Sequence, residues 1–237
     1  MTASRIAMTL VVACFVVYEV HAQAQTTANP AAERTWDEAV VEAREASTLT
    51  PQTDRGEEIY QVCSSCHLST GAGQQDGTMP QLAGQRRSVL IKQMTDIRSG
   101  LRDNPSMYPY VARLDGLQAL ADVAAYIETL PIPTDNGTGP GVDLERGEEI
   151  YVDQCSRCHG VAGEGMAEAF YPGLAGQHYR YLVRQIIDIA GGRRGNANPD
   201  MAQVVARLSA KDIASVADYI SRMASMTHHT EAESRSD

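Results

Sequence analysis

Cys63-Ser64-Ser65-Cys66-His67, read beside Cys155-Ser156-Arg157-Cys158-His159, decides how this chain is organised. Outward from these pentapeptides, Arg55-Gly56-Glu57-Glu58-Ile59-Tyr60 falls on Arg146-Gly147-Glu148-Glu149-Ile150-Tyr151 at an offset of 91, which becomes 92 from the first cysteine onward. Leu82-Ala83-Gly84-Gln85 falls on Leu174-Ala175-Gly176-Gln177, and Asp96-Ile97 on Asp188-Ile189. Asn104-Pro105-Ser106-Met107 then matches Asn198-Pro199-Asp200-Met201, and Val111-Ala112-Arg113-Leu114 matches Val205-Ala206-Arg207-Leu208, both at an offset of 94. One duplicated unit accounts for all of this. Two copies are too few for a solenoid, so each is expected to be a small domain with its own core, over 55–130 and 146–223.

Helical signals outweigh strand signals in both copies. Gly56 to Cys63 and Gly147 to Cys155 read as short helices leading into the cysteine motifs. Ser88 to Ser99 and Tyr179 to Ala190 space apolar residues at three and four, as an amphipathic helix does. Leu117 to Leu130 and Ser209 to Met223 close the repeats, the latter opening on a serine cap. Leu68 to Gln81 and Gly191 to Pro199 are loops by their Gly, Asn and Pro content, and no segment makes a convincing strand. The fold class is all-α.

Three segments lie outside the repeats. Residues 1–24 read as an export signal: Arg5, an apolar run from Ala7 to Val17, then Ala22 and Ala24 in an A-x-A pattern. That run is shorter than the roughly 20 residues a spanning helix needs, which favours cleavage over a retained anchor. Val11-Val12-Ala13-Cys14 also resembles a lipoprotein box, but it would cut with apolar residues still following. In the extension 25–54, Thr35-Trp36-Asp37-Glu38 fits a capping box opening a helix to about Ala46, able to pack on the first domain. Residues 131–145 are dense in Pro and Gly and form the linker, and 224–237 read as a polar tail, disordered from Thr227.

The net charge of −10 sits mainly in these outer segments, because 55–130 carry 7 basic and 8 acidic residues and 146–223 carry 9 of each. Solvated acidic spacers explain that distribution better than an acidic docking face. Nucleic acid is excluded as a partner for so acidic a chain.

The cysteines carry the chemistry. Four of the five stand in the C-x-x-C-H motifs and the fifth lies in the signal, so none is left for a disulfide. Two cysteines three apart on a helical turn point the same way and can form thioethers with two haem vinyl groups. The following histidine then sits under the iron. A zinc site would need further ligands, and the remaining histidines are His21, His178, His228 and His229. Two covalent haem c groups are therefore expected, on Cys63 and Cys66 and on Cys155 and Cys158, with His67 and His159 as axial ligands.

Methionine thioether is a common sixth ligand and raises the potential. Met107 and Met201 stand in matching Asn-Pro-x-Met segments and are the expected pair. Met79 faces Tyr171 in the second copy and is read as packing. A ligating histidine donates its remaining N–H to a carbonyl or carboxylate, and the carbonyls of Pro80 and Pro172, each 13 residues downstream, are candidate acceptors. Arg102 and Arg194 are candidates for pairing with haem propionates, beside the plainer reading of solvated surface arginines.

Through both C-x-x-C-H motifs, Pro80-Gln81-Leu82-Ala83-Gly84-Gln85, Pro172-Gly173-Leu174-Ala175-Gly176-Gln177 and the two methionine segments, residues 55 to about 223 resemble the dihaem class I cytochromes of the cytochrome c-four family. The resemblance implies two tandem cytochrome c domains related by a pseudo-twofold, and supports the proline and methionine assignments. It also implies a periplasmic shuttle between respiratory-chain donors and a terminal oxidase, or another redox partner; peripheral membrane association is left open by the sequence. The acidic extension, the tail, and Leu68 where the second copy has Gly160 depart from the pattern. The alternatives are a haem enzyme, such as a peroxidase or sulfur-compound oxidoreductase, and a haem subunit of a larger oxidoreductase complex; two intact methionine segments argue against a catalytic iron.

Overall fold

The computed structural model describes the backbone of residues 36–233 and the side chains of 40–223. The export signal, Cys14 and the Thr35 cap lie outside the described residues. In the first domain α2 (Thr53–His67) runs into the cysteine motif, α3 (Arg87–Ser99) and the short α4 (Tyr108–Val111) follow, and α5 (Gly116–Thr129) closes the unit. The second repeats this order with α6 (Leu144–Ile150), α7 (Ser156–His159), α8 (Tyr179–Ala190), α9 (Pro199–Val205) and α10 (Ala210–Glu233). Among the described residues the only strand-like pairing is an isolated bridge between Met166 and Tyr171. No helix there is long and apolar enough to cross a membrane.

Each domain is pinned where its first helix crosses its last. A Cβ on Gly56 would overlap the carbonyl oxygen of Asp122, and one on Gly147 that of Ser215, so glycine is what lets these backbones touch. Beside the crossings, Tyr60 packs on Tyr126 with ring centroids 5.4 Å apart, and Tyr151 on Tyr219 at 5.8 Å. The first core gathers Tyr60, Leu90, Ile91, Val123 and Ile127, the second Ile150, Tyr151, Leu182, Val216 and Ile220.

The change of offset at the first cysteine has a structural form. The second copy holds one extra residue between its tyrosine and its cysteine, and the helix absorbs it as a wide π turn over Tyr151–Cys155. The Cys63 thiol lies 3.9 Å from the carbonyl of Ile59, four residues back, and the Cys155 thiol 3.8 Å from that of Ile150, five back. The bulge thus keeps the cysteine in register with the core despite the insertion.

α1 (Trp36–Thr48) docks on α3 and α5, burying Ala43 and Ala46 completely. Arg98 closes this contact on Glu42 at 2.6 Å, and Arg87 on the Ser47 carbonyl at 3.0 Å. At the other end, the helix expected to stop at Met223 runs on to Glu233, through residues expected to be disordered. Neither Gly nor Pro occurs in that stretch, so the chain carries no stop signal there.

The domains interlock. Phe170, which faces Thr78 in the first copy, is buried in the first domain's core with a left-handed backbone (φ +57°). Ser88 anchors the same loop by donating to the Ala167 carbonyl at 2.7 Å. The linker is also tied: the N–H of Gly137 donates to Nδ1 of buried His178 at 3.0 Å, and His178 Nε2 meets the first domain's Ala72 carbonyl at 2.8 Å.

Candidate haem sites

Both histidines sit at the ends of the helices that carry their cysteines and are almost fully buried, His67 at 3% and His159 at 6% exposure. His67 Nδ1 lies 3.0 Å from the carbonyl oxygen of Pro80, and His159 Nδ1 2.9 Å from that of Pro172. The loop closes because Gly73 (φ +69°) and Gly165 (φ +73°) return their N–H groups to the histidine carbonyls at 3.0 and 2.8 Å. A Cβ on Gly73 would overlap the Pro80 carbonyl itself. Burial lowers the pKa of both imidazoles, against the opposing effect of the proline carbonyls, and so favours the neutral form that ligates a metal.

The orientation suits a covalently attached haem. With Nδ1 donating to a carbonyl, Nε2 is the nitrogen left to ligate a metal, and His67 Nε2 is buried with no hydrogen-bond partner among the described residues. Cys63, Cys66, Cys155 and Cys158 are all half-buried free thiols, and burial pushes Cys63 and Cys155 up to about 11. These donors fit the group: in each motif two thiols would take the vinyls and one imidazole nitrogen would ligate the iron.

The asparagines of the Asn-Pro-x-Met segments act as local caps. Asn198 Oδ1 accepts from Asp200 N–H at 2.8 Å with Pro199 opening α9, and Asn104 Oδ1 accepts from Met107 N–H at 3.2 Å just before α4. Both methionines are half-buried, and Met201 packs against the same core as Cys155. Tyr171, the counterpart of Met79, lies with its ring centroid 6.3 Å from that of His159 and directly precedes the proline that takes up Nδ1. That places the Met79 position on the histidine side of the site.

Arg102 and Arg194 stand in the seam between the domains. Arg102 donates to Gln93 in its own domain at 2.7 Å and to Tyr181 and Gln185 across the seam at 3.1 and 3.2 Å. Arg194 donates to Gln185 at 2.9 Å and across to Gln93 at 2.8 Å. Burial, and then the neighbouring Arg102, lower Arg194 to about 10. Burial would raise the Tyr181 phenol, but Arg102, Arg194 and Arg184 together bring it below its ordinary value. The seam is therefore electropositive. Sequence reasoning missed Gln93 and Gln185, whose only signal was their equivalence in the repeat.

A chain with two such helical units, each ending its C-x-x-C-H motif on a buried histidine held at Nδ1 by a proline carbonyl, is a dihaem c-type cytochrome. The cytochrome c family model matches residues 53–131 and again 144–224. The chain is 36% identical over 177 residues to the cytochrome c4 of Azotobacter vinelandii, covering 67% of this chain and 83% of that one. It is 32% identical over 195 residues to a thiosulfate dehydrogenase electron acceptor of Stutzerimonas stutzeri, covering 74% and 89%. Its backbone superposes on the crystal structure of reduced recombinant cytochrome c4 from Pseudomonas stutzeri with a TM-score of 0.66 at 30% identity, over 73% of this chain and 98% of that one. The chain belongs to the cytochrome c family, within its dihaem cytochrome c4 group. It is an electron-transfer protein rather than an enzyme, it carries two covalent haem c groups, and its partners are redox proteins.

Proposed function

We propose that this chain shuttles electrons in the periplasm, from a respiratory-chain donor to a terminal oxidase or another acceptor. Cys63 and Cys66 attach the first haem and Cys155 and Cys158 the second. His67 with Met107, and His159 with Met201, are the axial pairs. The observation that carries the reading is His67, whose Nδ1 is held by the Pro80 carbonyl while its buried Nε2 has no hydrogen-bond partner among the described residues. The haem iron supplies the one-electron couple. The histidine loops would hold the donor nitrogen, and the methionine thioethers would favour Fe(II). The arginine pair Arg102 and Arg194 offers the propionates a desolvated cationic site.

Membranes containing a terminal oxidase are expected to reoxidise both haems of the reduced protein within turnover times. Failure with membranes that oxidise other c-type cytochromes would remove the oxidase from the proposal. A sulfur-oxidising donor is a second reading, favoured by the 32% identity to the Stutzerimonas acceptor over 89% of its length. Faster reduction by a thiosulfate dehydrogenase with thiosulfate than by the quinol-driven route would select it.

A further inference from the structure

The seam contains a second symmetric device, built on glutamines at equivalent repeat positions. Gln177 Nε2 donates to the Gln81 carbonyl at 2.9 Å while its Oε1 accepts from Gln81 N–H at 3.0 Å. Gln85 treats Gly173, the counterpart of Gln81, in the same way, at 3.0 and 2.9 Å. Each amide oxygen also accepts from the next residue in its own chain segment, Arg86 N–H at 3.0 Å and His178 N–H at 3.1 Å. Two N–H donors on one side and a carbonyl on the other leave each amide a single sensible orientation.

Gln81 and Gly173 directly follow Pro80 and Pro172. The Pro80–Gln81 peptide therefore has its C=O engaged by His67 and its N–H by Gln177, and the Pro172–Gly173 peptide has its C=O engaged by His159 and its N–H by Gln85. A relay one peptide group long runs from a side chain of each domain to the imidazole of the other. Hydrogen bonds in such a chain polarise one another, by about 10–30% per bond. An acceptor on the peptide N–H enriches its C=O, which then draws harder on the Nδ1 proton and makes the imidazole a stronger donor, favouring Fe(III).

The geometry points to Gln85 and Gln177 as positioning residues, each setting across the seam the donor strength of the other domain's histidine, so that each haem's potential depends on the neighbouring domain. This rests on reading His67 and His159 as axial ligands.

The test is redox titration of the full dihaem protein with the two haems resolved by NMR, alongside the Nδ1–H resonances of His67 and His159 in the reduced, diamagnetic state. Gln177→Leu is expected to raise the potential of the first-domain haem, and Gln85→Leu that of the second. In each variant the haem of the substituted domain stays closer to its parent value. The His67 Nδ1–H is expected to shift and exchange faster in Gln177→Leu while that of His159 holds. Gln177→Glu keeps the acceptor oxygen and moves the first-domain haem the opposite way, and more than the second. Equal shifts at both haems, a shift confined to the substituted domain, or unchanged potentials in a folded variant would overturn the proposal. If Gln177→Leu does not fold, Gln177→Glu decides by the same comparison. A failure of the ligand reading shows earlier, as parent Nδ1–H resonances without the shift of an iron-bound imidazole; silent glutamine variants on a normal parent spectrum refute the relay alone.

Discussion

The Tyr60 phenol donates to the carbonyl oxygen of Leu68 at 2.8 Å, and Tyr151 repeats the bond to Gly160 at 2.6 Å. The two acceptors share one backbone conformation, φ +64° and ψ 159° at Leu68 against φ +83° and ψ 157° at Gly160, in a region essentially reserved for glycine. A leucine held there costs on the order of 1–3 kcal/mol, and the residue is 45% exposed, so little packing offsets that. Leu68→Gly is expected to stabilise the first domain by about 1 kcal/mol after the extra chain entropy of glycine is counted. Denaturant titration checks this, and a lower midpoint would contradict it.

Gly56 and Gly147 are expected to tolerate nothing larger. Alanine at either would press its Cβ into the opposing helix backbone, a rigid neighbour, at a cost of about 3 kcal/mol or more. Gly56→Ala should lower the unfolding midpoint of the first domain and Gly147→Ala that of the second, with the other domain's transition little changed.

His178 makes the link between domains sensitive to acid. Its Nδ1 accepts from Gly137, so the neutral ring must carry its proton on Nε2, donating to Ala72. Burial lowers its pKa, against the raising effects of the Ala72 carbonyl, Asp76 and Asp135. The unfolded chain therefore binds this proton first. The parent should lose stability as the pH falls through the ordinary histidine value of about 6.5 towards the lower native one, with no penalty above it. His178→Gln is expected to flatten that slope when unfolding is followed between about pH 5 and pH 7.5. A slope unchanged by the substitution would contradict the assignment of this pH dependence to His178.

Replacing both Cys63 and Cys66 by serine is expected to leave one covalent haem by mass, in the second domain, and the Cys155 and Cys158 pair should behave reciprocally. Retention of two covalent haems would contradict the assignment.

Much of this was legible in the sequence because the duplication supplies its own control. The repeat register paired the cysteine motifs and the two helical units, and the step in offset before Cys155 was visible, although the π turn that absorbs it appears only in the helix geometry. Helix α8 was readable to its ends because its apolar spacing runs uninterrupted from Tyr179 to Ala190. What lay beyond reach depends on contacts between the copies. Phe170 drew no reading from the sequence, since nothing local says that it enters the other domain's core. Gln85 and Gln177 were visible as matched residues, but their targets lie 88 and 96 residues away in the chain. The helix through Glu233 was read as tail because its composition is polar, and polarity alone does not stop a helix.

The central claim is that both irons are held by a histidine and a methionine, and the near-infrared spectrum of the ferric protein tests it most directly. The parent is expected to show two low-spin haems with the Met–Fe(III) charge-transfer band at an intensity for two. Met107→Ala and Met201→Ala should each halve that band and lower the potential of one haem. A high-spin haem in the parent, or a band left whole by either substitution, would contradict the account.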